Sequence, residues 1–155
     1  MYTFLMESQR YGKFSSFAKF IESYEAEQLL LAKKERDVVE VSATIDVREP
    51  DDTDGDRHIR LRVRVTEVLH DDPDVAADIK RNIDAASDVF VAIRYGDQMG
   101  LPSVPPGLDA GAQLRLKGEW IPREHAQNHG GEAMSVLHFT HHPIGFICTP
   151  DKCFS

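Results

Sequence analysis

Two stretches decide the fold class: Val38-Val39-Glu40-Val41-Ser42-Ala43-Thr44-Ile45-Asp46-Val47-Arg48, then His58-Ile59-Arg60-Leu61-Arg62-Val63-Arg64-Val65-Thr66. In each, apolar and polar side chains alternate, which is the pattern of a strand with one face buried. Val39, Val41, Ala43, Ile45 and Val47 are expected inward from the first, and Ile59, Leu61, Val63 and Val65 from the second. Between them, Glu49 to Asp56 has the composition of a turn. Folding the two as a hairpin with partner numbers summing to 106 pairs Ile45 with Leu61 and Ala43 with Val63. The same register sets Asp46 beside Arg60 and Thr44 beside Arg62. A slip by one residue would oppose apolar to polar side chains throughout.

Working outward, Phe14 to Asp37 reads as a helix. Ser15 or Ser16 can cap it, Phe14, Phe17, Ile21 and Tyr24 recur at helical spacing, and Lys33, Lys34 and Arg36 close it. It is expected to pack on the strands that follow; a homodimer through this helix is the alternative. His70 to Asp88 is acidic, then helical, with Asp71 or Asp72 as cap and Val75, Ile79 and Ile83 on one side. Val89 to Tyr95 is a third strand. Gly96 to Gly111, with Pro102, Pro105 and Pro106, reads as a long surface loop. Gln113 to Ile121 is a fourth strand in which Gly118 predicts a bulge or bend. His125 to Gly131 is a turn, and Ala133 to Thr140 a fifth strand.

Five short strands, a long loop and two helices predict a mainly β protein. The expectation is a five-stranded OB-like barrel with an N-terminal α-helix and a second short helix, because closure removes the edges that such apolar strands would otherwise expose. Residues 1–37 then form a helical segment, 38–147 the barrel and 148–155 a C-terminal tail. A chain of 155 residues suits one domain. The net charge of −8 argues against a generic DNA-coating protein and against an anionic membrane surface. No apolar run approaches the roughly 20 residues of a membrane span. Met1 to Lys13 is too polar for a signal peptide, so a cytoplasmic protein is expected. In a reducing compartment Cys148 and Cys153 are expected to be free thiols, and two cysteines alone do not make a zinc site.

Three segments, Asp54-Gly55-Asp56-Arg57-His58, Lys117-Gly118-Glu119-Trp120 and Val136-Leu137-His138-Phe139-Thr140-His141-His142-Pro143, resemble an uncharacterised family of small bacterial domains. Its members carry a Gly-x-Arg-His turn, a Gly-Glu-aromatic strand and a terminal His-aromatic-Thr-His-His-Asp-Pro stretch. The resemblance runs from Val38 to Ile147 with gaps and implies an OB-type barrel. Two departures are plain. The family's Asn-Ile-Asp follows its third strand, whereas Asn82-Ile83-Asp84 precedes the third strand here, and Pro143 follows His142 without the intervening Asp.

The basic row Arg60, Arg62 and Arg64, extended by His58 and widened by Arg94, Arg115 and Lys117, is the first candidate site. Guanidiniums about 6.6 Å apart along a strand suit a phosphate backbone, so the partner would be single-stranded nucleic acid or another anion. Asp46, Glu40 and Glu119 can instead pair with these bases across strands, and only Phe90 and Tyr95 offer rings for stacking. The second candidate is a histidine site for a divalent metal such as Zn or Mn, built from His58, His138, His141 and His142. It requires the chain to bend at Pro143, because strand neighbours point to opposite faces. The plainer alternative is that these histidines merely end a strand. Asp52 to Asp56 is similar to a calcium loop, but Pro50 occupies the first ligand position and no Glu closes it. A metal-dependent phosphodiesterase using His58, His138 and His141 is the alternative function. Some OB-barrel nucleases also place an Asp-Gly-Asp turn after a first strand, but the Pro-Glu completing their pattern is missing after Asn82-Ile83-Asp84. The sequence therefore favours a binding module over an enzyme.

Overall fold

The computed structural model describes residues 37–126 and 134–155. The helix expected over Phe14–Asp37, the dimer it would form and most of the His125–Gly131 turn lie outside the described residues, Asp37 apart. Among the described residues there are seven strands and one helix: β1 (Val38–Asp52), β2 (His58–His70), α1 (Ala76–Ala85), β3 (Asp88–Arg94), β4 (Gln113–Ile121), β5 (Val136–His138), β6 (Phe146–Cys148) and β7 (Cys153–Phe154). They run in the order β1-β2-β3-β5-β4-β6-β7, and β1 pairs with β4 as well as β2, so the first five close into a barrel. No described helix is long and apolar enough to cross a membrane.

Alternation builds the interior. Val39, Val41, Ala43 and Ile45 of β1 and Ile59, Leu61, Val63 and Val65 of β2 are buried in one cluster. Val89, Val91 and Ile93 of β3, Leu114, Leu116 and Trp120 of β4, Leu137 and Ile147 join it, with Val75 and Ile79 from the helical segment and Leu101 and Leu108 from the long loop. Each buried aliphatic side chain contributes about 1.5–3 kcal/mol by leaving water.

The β1–β2 register corrects the sequence expectation. Ala43 pairs with Val65, Thr44 with Arg64 and Ile45 with Val63, so partner numbers sum to 108 there rather than 106. A shift of two keeps Val39, Val41, Ala43, Ile45 and all four inward β2 positions on their expected face, which is why the alternation survives there. The physical reason is the turn. β1 runs on to Asp52, and the hairpin tip is set at Gly55, which takes φ +80° at no steric cost. An irregularity between Ile45 and Val47 then inverts the face, leaving Val47 45% exposed where an inward position was expected.

Elsewhere the chain departs from its reading in smaller ways. Gly118 makes no bulge, since β1 and β4 stay in register from Val38↔Glu119 to Thr44↔Gln113. A Cβ at Gly118 would lie 2.4 Å from the His138 carbonyl oxygen, so this glycine permits close strand approach instead. The 96–111 loop is not purely surface: Leu101 and Leu108 are fully buried in the core. Neither Asp71 nor Asp72 caps α1, whose N-cap is Val75 with no side-chain cap; the Asp72 carbonyl instead accepts the Val75 and Ala76 amides of the preceding turn. β5 is only Val136–His138. Cys148 and Cys153 are not free thiols but a disulfide, and they face each other across the β6–β7 pair. The segment read as a tail from residue 148 thus supplies the end of β6 and all of β7.

Candidate anion-binding face and histidine rim

On the outside of the barrel β2 presents His58, Arg60, Arg62 and Arg64, opposite Arg94, Ala92, Phe90 and Asp88 of β3. The arginines are held in different ways. Arg62 Nε donates to Glu49 Oε2 at 2.5 Å, and Arg64 Nη1 lies 3.8 Å from Asp46 Oδ1. Arg94 binds Asp97 through Nε at 2.9 Å and Asp56 through Nη2 at 3.2 Å. Arg60 donates its Nε to the Pro50 carbonyl at 2.9 Å, and no described carboxylate pairs with it. Lys117 stands apart, on β4 beyond β1, between Glu40 and Phe146 in register. Arg115, two residues along β4, pairs with Glu40 at 3.4 Å.

Carboxylates share this face. Burial and a hydrogen bond with Asp46 push the Asp88 carboxyl up to about 6, against the opposing pull of Arg62 and Arg64. A carboxyl raised in the folded state stabilises the fold below the unfolded value near 4 and loses that contribution as pH rises through 6. A dry group shifted this far would correspond to roughly 3 kcal/mol, but Asp88 is half-buried, so about 1 kcal/mol is expected. Asp88→Asn should therefore be more stable than the parent at pH 7 and indistinguishable from it at pH 4. Urea midpoints at the two pH values measure this; equal midpoints at pH 7 contradict it.

The rings expected to stack on bases are not available as imagined. Phe90 is buried against Met134 and Val136, with Ala92, Ile121 and Ala126 packed around them. The Tyr95 hydroxyl donates to Asp51 at 2.9 Å, and the Arg57 guanidinium lies over its ring at 5.4 Å.

At the end of the barrel where β2 starts and β3 finishes, the histidines partly gather. His58 faces Arg94 across the ladder, and its Nδ1 contacts the Asp56 carbonyl at 3.1 Å. His138 ends β5, which runs parallel to β3, and its Nε2 pairs with the buried carboxylate of Glu119. Phe139, at φ +55°, ends the strand and stacks on His138 with ring centroids 4.0 Å apart. His141 is buried and meets Phe139 edge-on. Its burial lowers its pKa, and its charge environment includes Arg94, Asp97 and His138. His142 is exposed and offers its carbonyl to His141 Nδ1 at 2.9 Å.

The ligand atoms of these four histidines do not form a compact set. Among the described residues, the one trio of His, Cys, Asp or Glu atoms mutually within 4.8 Å is Asp37, Asp72 and Asp74. That trio joins the turn before α1 to the residue preceding β1 through internal bonds, since Asp72 accepts the amides of Asp74 and Asp37. The Asp52–Asp56 tip does not converge on an ion either. Asp52 accepts the Asp54 amide, while Asp56 pairs with Arg94.

Sequence reasoning offers Glu119 only as a cross-strand partner for the outer-face bases and does not single out Asp78 at all. Asp78 is buried and accepts Trp120 Nε1 at 2.8 Å, Ser135 Oγ at 2.6 Å and Arg81 Nη2 at 2.7 Å. Its one sequence signal is a carboxylate between the apolar positions Val75 and Ile79 of an amphipathic helix. Fold and face together define a small closed β-barrel with a mixed-charge, arginine-bearing outer surface. Comparison with known proteins adds no relative: no family model, curated protein or solved structure matches the chain.

Proposed function

We propose that this barrel is an OB-type binding module whose ligand is an anion, with single-stranded nucleic acid as the polyanion that follows the row Arg60, Arg62 and Arg64. The non-sequential order β1-β2-β3-β5-β4 returning to β1 supports the OB reading, and the outer face of strands two and three is where such folds bind oligonucleotides. The observation that carries the proposal is Arg60. One Nε bond to a carbonyl orients its guanidinium while leaving its charge without a carboxylate partner among the described residues. Arg62, Arg64 and Arg94 sit beside it, partly balanced by Glu49, Asp46, Asp88 and Asp97, so binding is expected to be weak and salt-dependent. With Phe90 buried, stacking adds little and base preference should be slight.

Fluorescence anisotropy with a labelled thymidine oligonucleotide at low salt tests this. Arg60→Glu should weaken binding at least about fivefold, and three to four phosphate contacts should give a log–log salt slope of roughly −2 to −3. No binding by the parent protein, or none lost in Arg60→Glu, rejects the proposal.

A second reading, a metal-dependent phosphodiesterase with His138 as its base, is supported by the Glu119–His138 pair, because a carboxylate-bound imidazole is the arrangement of a general base. His58 and His141 do not converge with it on one point, so any metal would have to be held in part by the substrate. Turnover of bis(p-nitrophenyl) phosphate with added Zn or Mn, lost in His138→Ala, would favour it. Absence of both turnover and stoichiometric metal removes it.

A further inference from the structure

We infer that the Cys148–Cys153 disulfide is a thiol–disulfide exchange site, opened by a dithiol reductant and tuned by Arg115. Three independent features meet there. Cys148 is buried at 5% exposure whereas Cys153 is exposed, so an incoming thiolate reaches only one of the two sulfurs readily. The Arg115 guanidinium lies 3.6 Å from Cys148 Sγ and 3.8 Å from Cys153 Sγ, held in place by Glu40 and by the Phe146 ring beneath it. An open cleft lined by Thr44, Thr66, Gln113 and Arg115 runs up to both cysteines and gives a reductant its approach.

The chemistry follows from those positions. One thiolate of the dithiol attacks Cys153 Sγ; the S–S bond breaks and its electron pair departs on Cys148 Sγ. A thiolate is a better leaving group when a cation lowers its pKa, and Arg115 stands beside the departing sulfur. The second thiolate of the reductant then attacks the mixed disulfide at the reductant's own sulfur. It releases the Cys153 thiolate and closes the reductant into its disulfide. Two electrons pass from the dithiol to the protein, and the two cysteine thiolates take up protons as the solution pH dictates. The Thr149–Lys152 turn keeps its own hydrogen bonds, so the two sulfurs remain neighbours and the step can reverse.

The test uses the full chain without denaturant. Protein is reduced with dithiothreitol, quenched with N-ethylmaleimide at intervals and weighed by mass spectrometry. Two alkylations per chain should appear while circular dichroism stays native. Arg115→Gln should slow reduction by roughly three- to tenfold, and Arg115→Lys should recover most of the rate. A measurement free of variants is the pH profile of iodoacetamide labelling of the reduced protein, where Cys148 should titrate below the 8.5 or so of a free thiol. Reduction only after denaturation, equal rates in the parent and Arg115→Gln, or an ordinary thiol titration would each overturn the inference.

Discussion

Asp78→Ala is expected to remove about 4 kcal/mol, a large share of what a barrel of this size possesses. The carboxylate is the hub on which α1 is fastened to the sheet. It takes hydrogen bonds from the Trp120 indole, the Ser135 hydroxyl and Arg81, while Asn82 Nδ2 donates to both the Asp78 carbonyl and Ser135 Oγ. Truncation strands the indole N–H and the hydroxyl in an apolar interior, and an unmade buried hydrogen bond costs far more than a made one contributes. The Arg81 arm adds little, because that guanidinium is mostly exposed. Burial alone would raise the Asp78 pKa, but the bonds from Ser135, Trp120 and Arg81 outweigh it and hold the group below its ordinary value. A carboxyl depressed in the folded state stabilises the fold above its unfolded pKa near 4 and loses that contribution as pH falls through the folded value. Urea unfolding between pH 2 and 7 should therefore show an acid-side loss in the parent that Asp78→Asn lacks. An alanine variant within 1 kcal/mol of the parent would mean that the network is replaceable.

Gly145→Ala should be nearly as damaging, by a different mechanism. A Cβ there would stand 1.9 Å from the Lys117 carbonyl oxygen and 2.8 Å from that of Phe139, both backbone atoms of packed segments. No side chain can rotate away to make room. Lys117 and Phe146 are ladder partners, so the strain falls on the β4–β6 pairing and on the disulfide hairpin beyond it. A loss of about 3 kcal/mol or more is expected, at the upper end of overpacking effects. Gly107→Ala is the matched control, since its Cβ would meet nothing within 4 Å and only its φ of +83° is unfavourable, at roughly 1–2 kcal/mol. Chemical unfolding of both variants, with amide exchange across 146–154, separates crowding from backbone strain; equal losses would contradict the distinction.

What could be read in advance was set by periodicity. Gln113–Ile121 was legible as a strand because Leu114, Leu116 and Trp120 recur at a spacing of two in any register. The β1–β2 faces were legible for the same reason, yet their register was not, because it depends on which residue of the acidic turn sits at the tip and on the irregularities along the pair. The φ of Gly55 settles only the first of these. The Cys148–Cys153 bond was missed because the free-thiol expectation rested on a reducing compartment, and the eight residues 148–155 carry no alternation long enough to announce a hairpin. Of the proposed site, the arginine row was visible as a pattern. The carboxylates that engage it come from β1 and from loops whose positions follow from closure rather than from local sequence. The Glu119–His138 pair arises the same way, from two segments brought together only when β5 enters between β3 and β4.

Barrel closure has one more implication, for the order of events during synthesis. β1 has two ladder neighbours, but they leave the ribosome at very different times: His58–His70 soon after β1, Gln113–Ile121 only when most of the chain has been made. Until then a nascent sheet of three strands presents a bare outer rim at Val38 to Thr44, and contacts this distant in sequence form slowly. That interval is when a chaperone or a stray strand would find its opening.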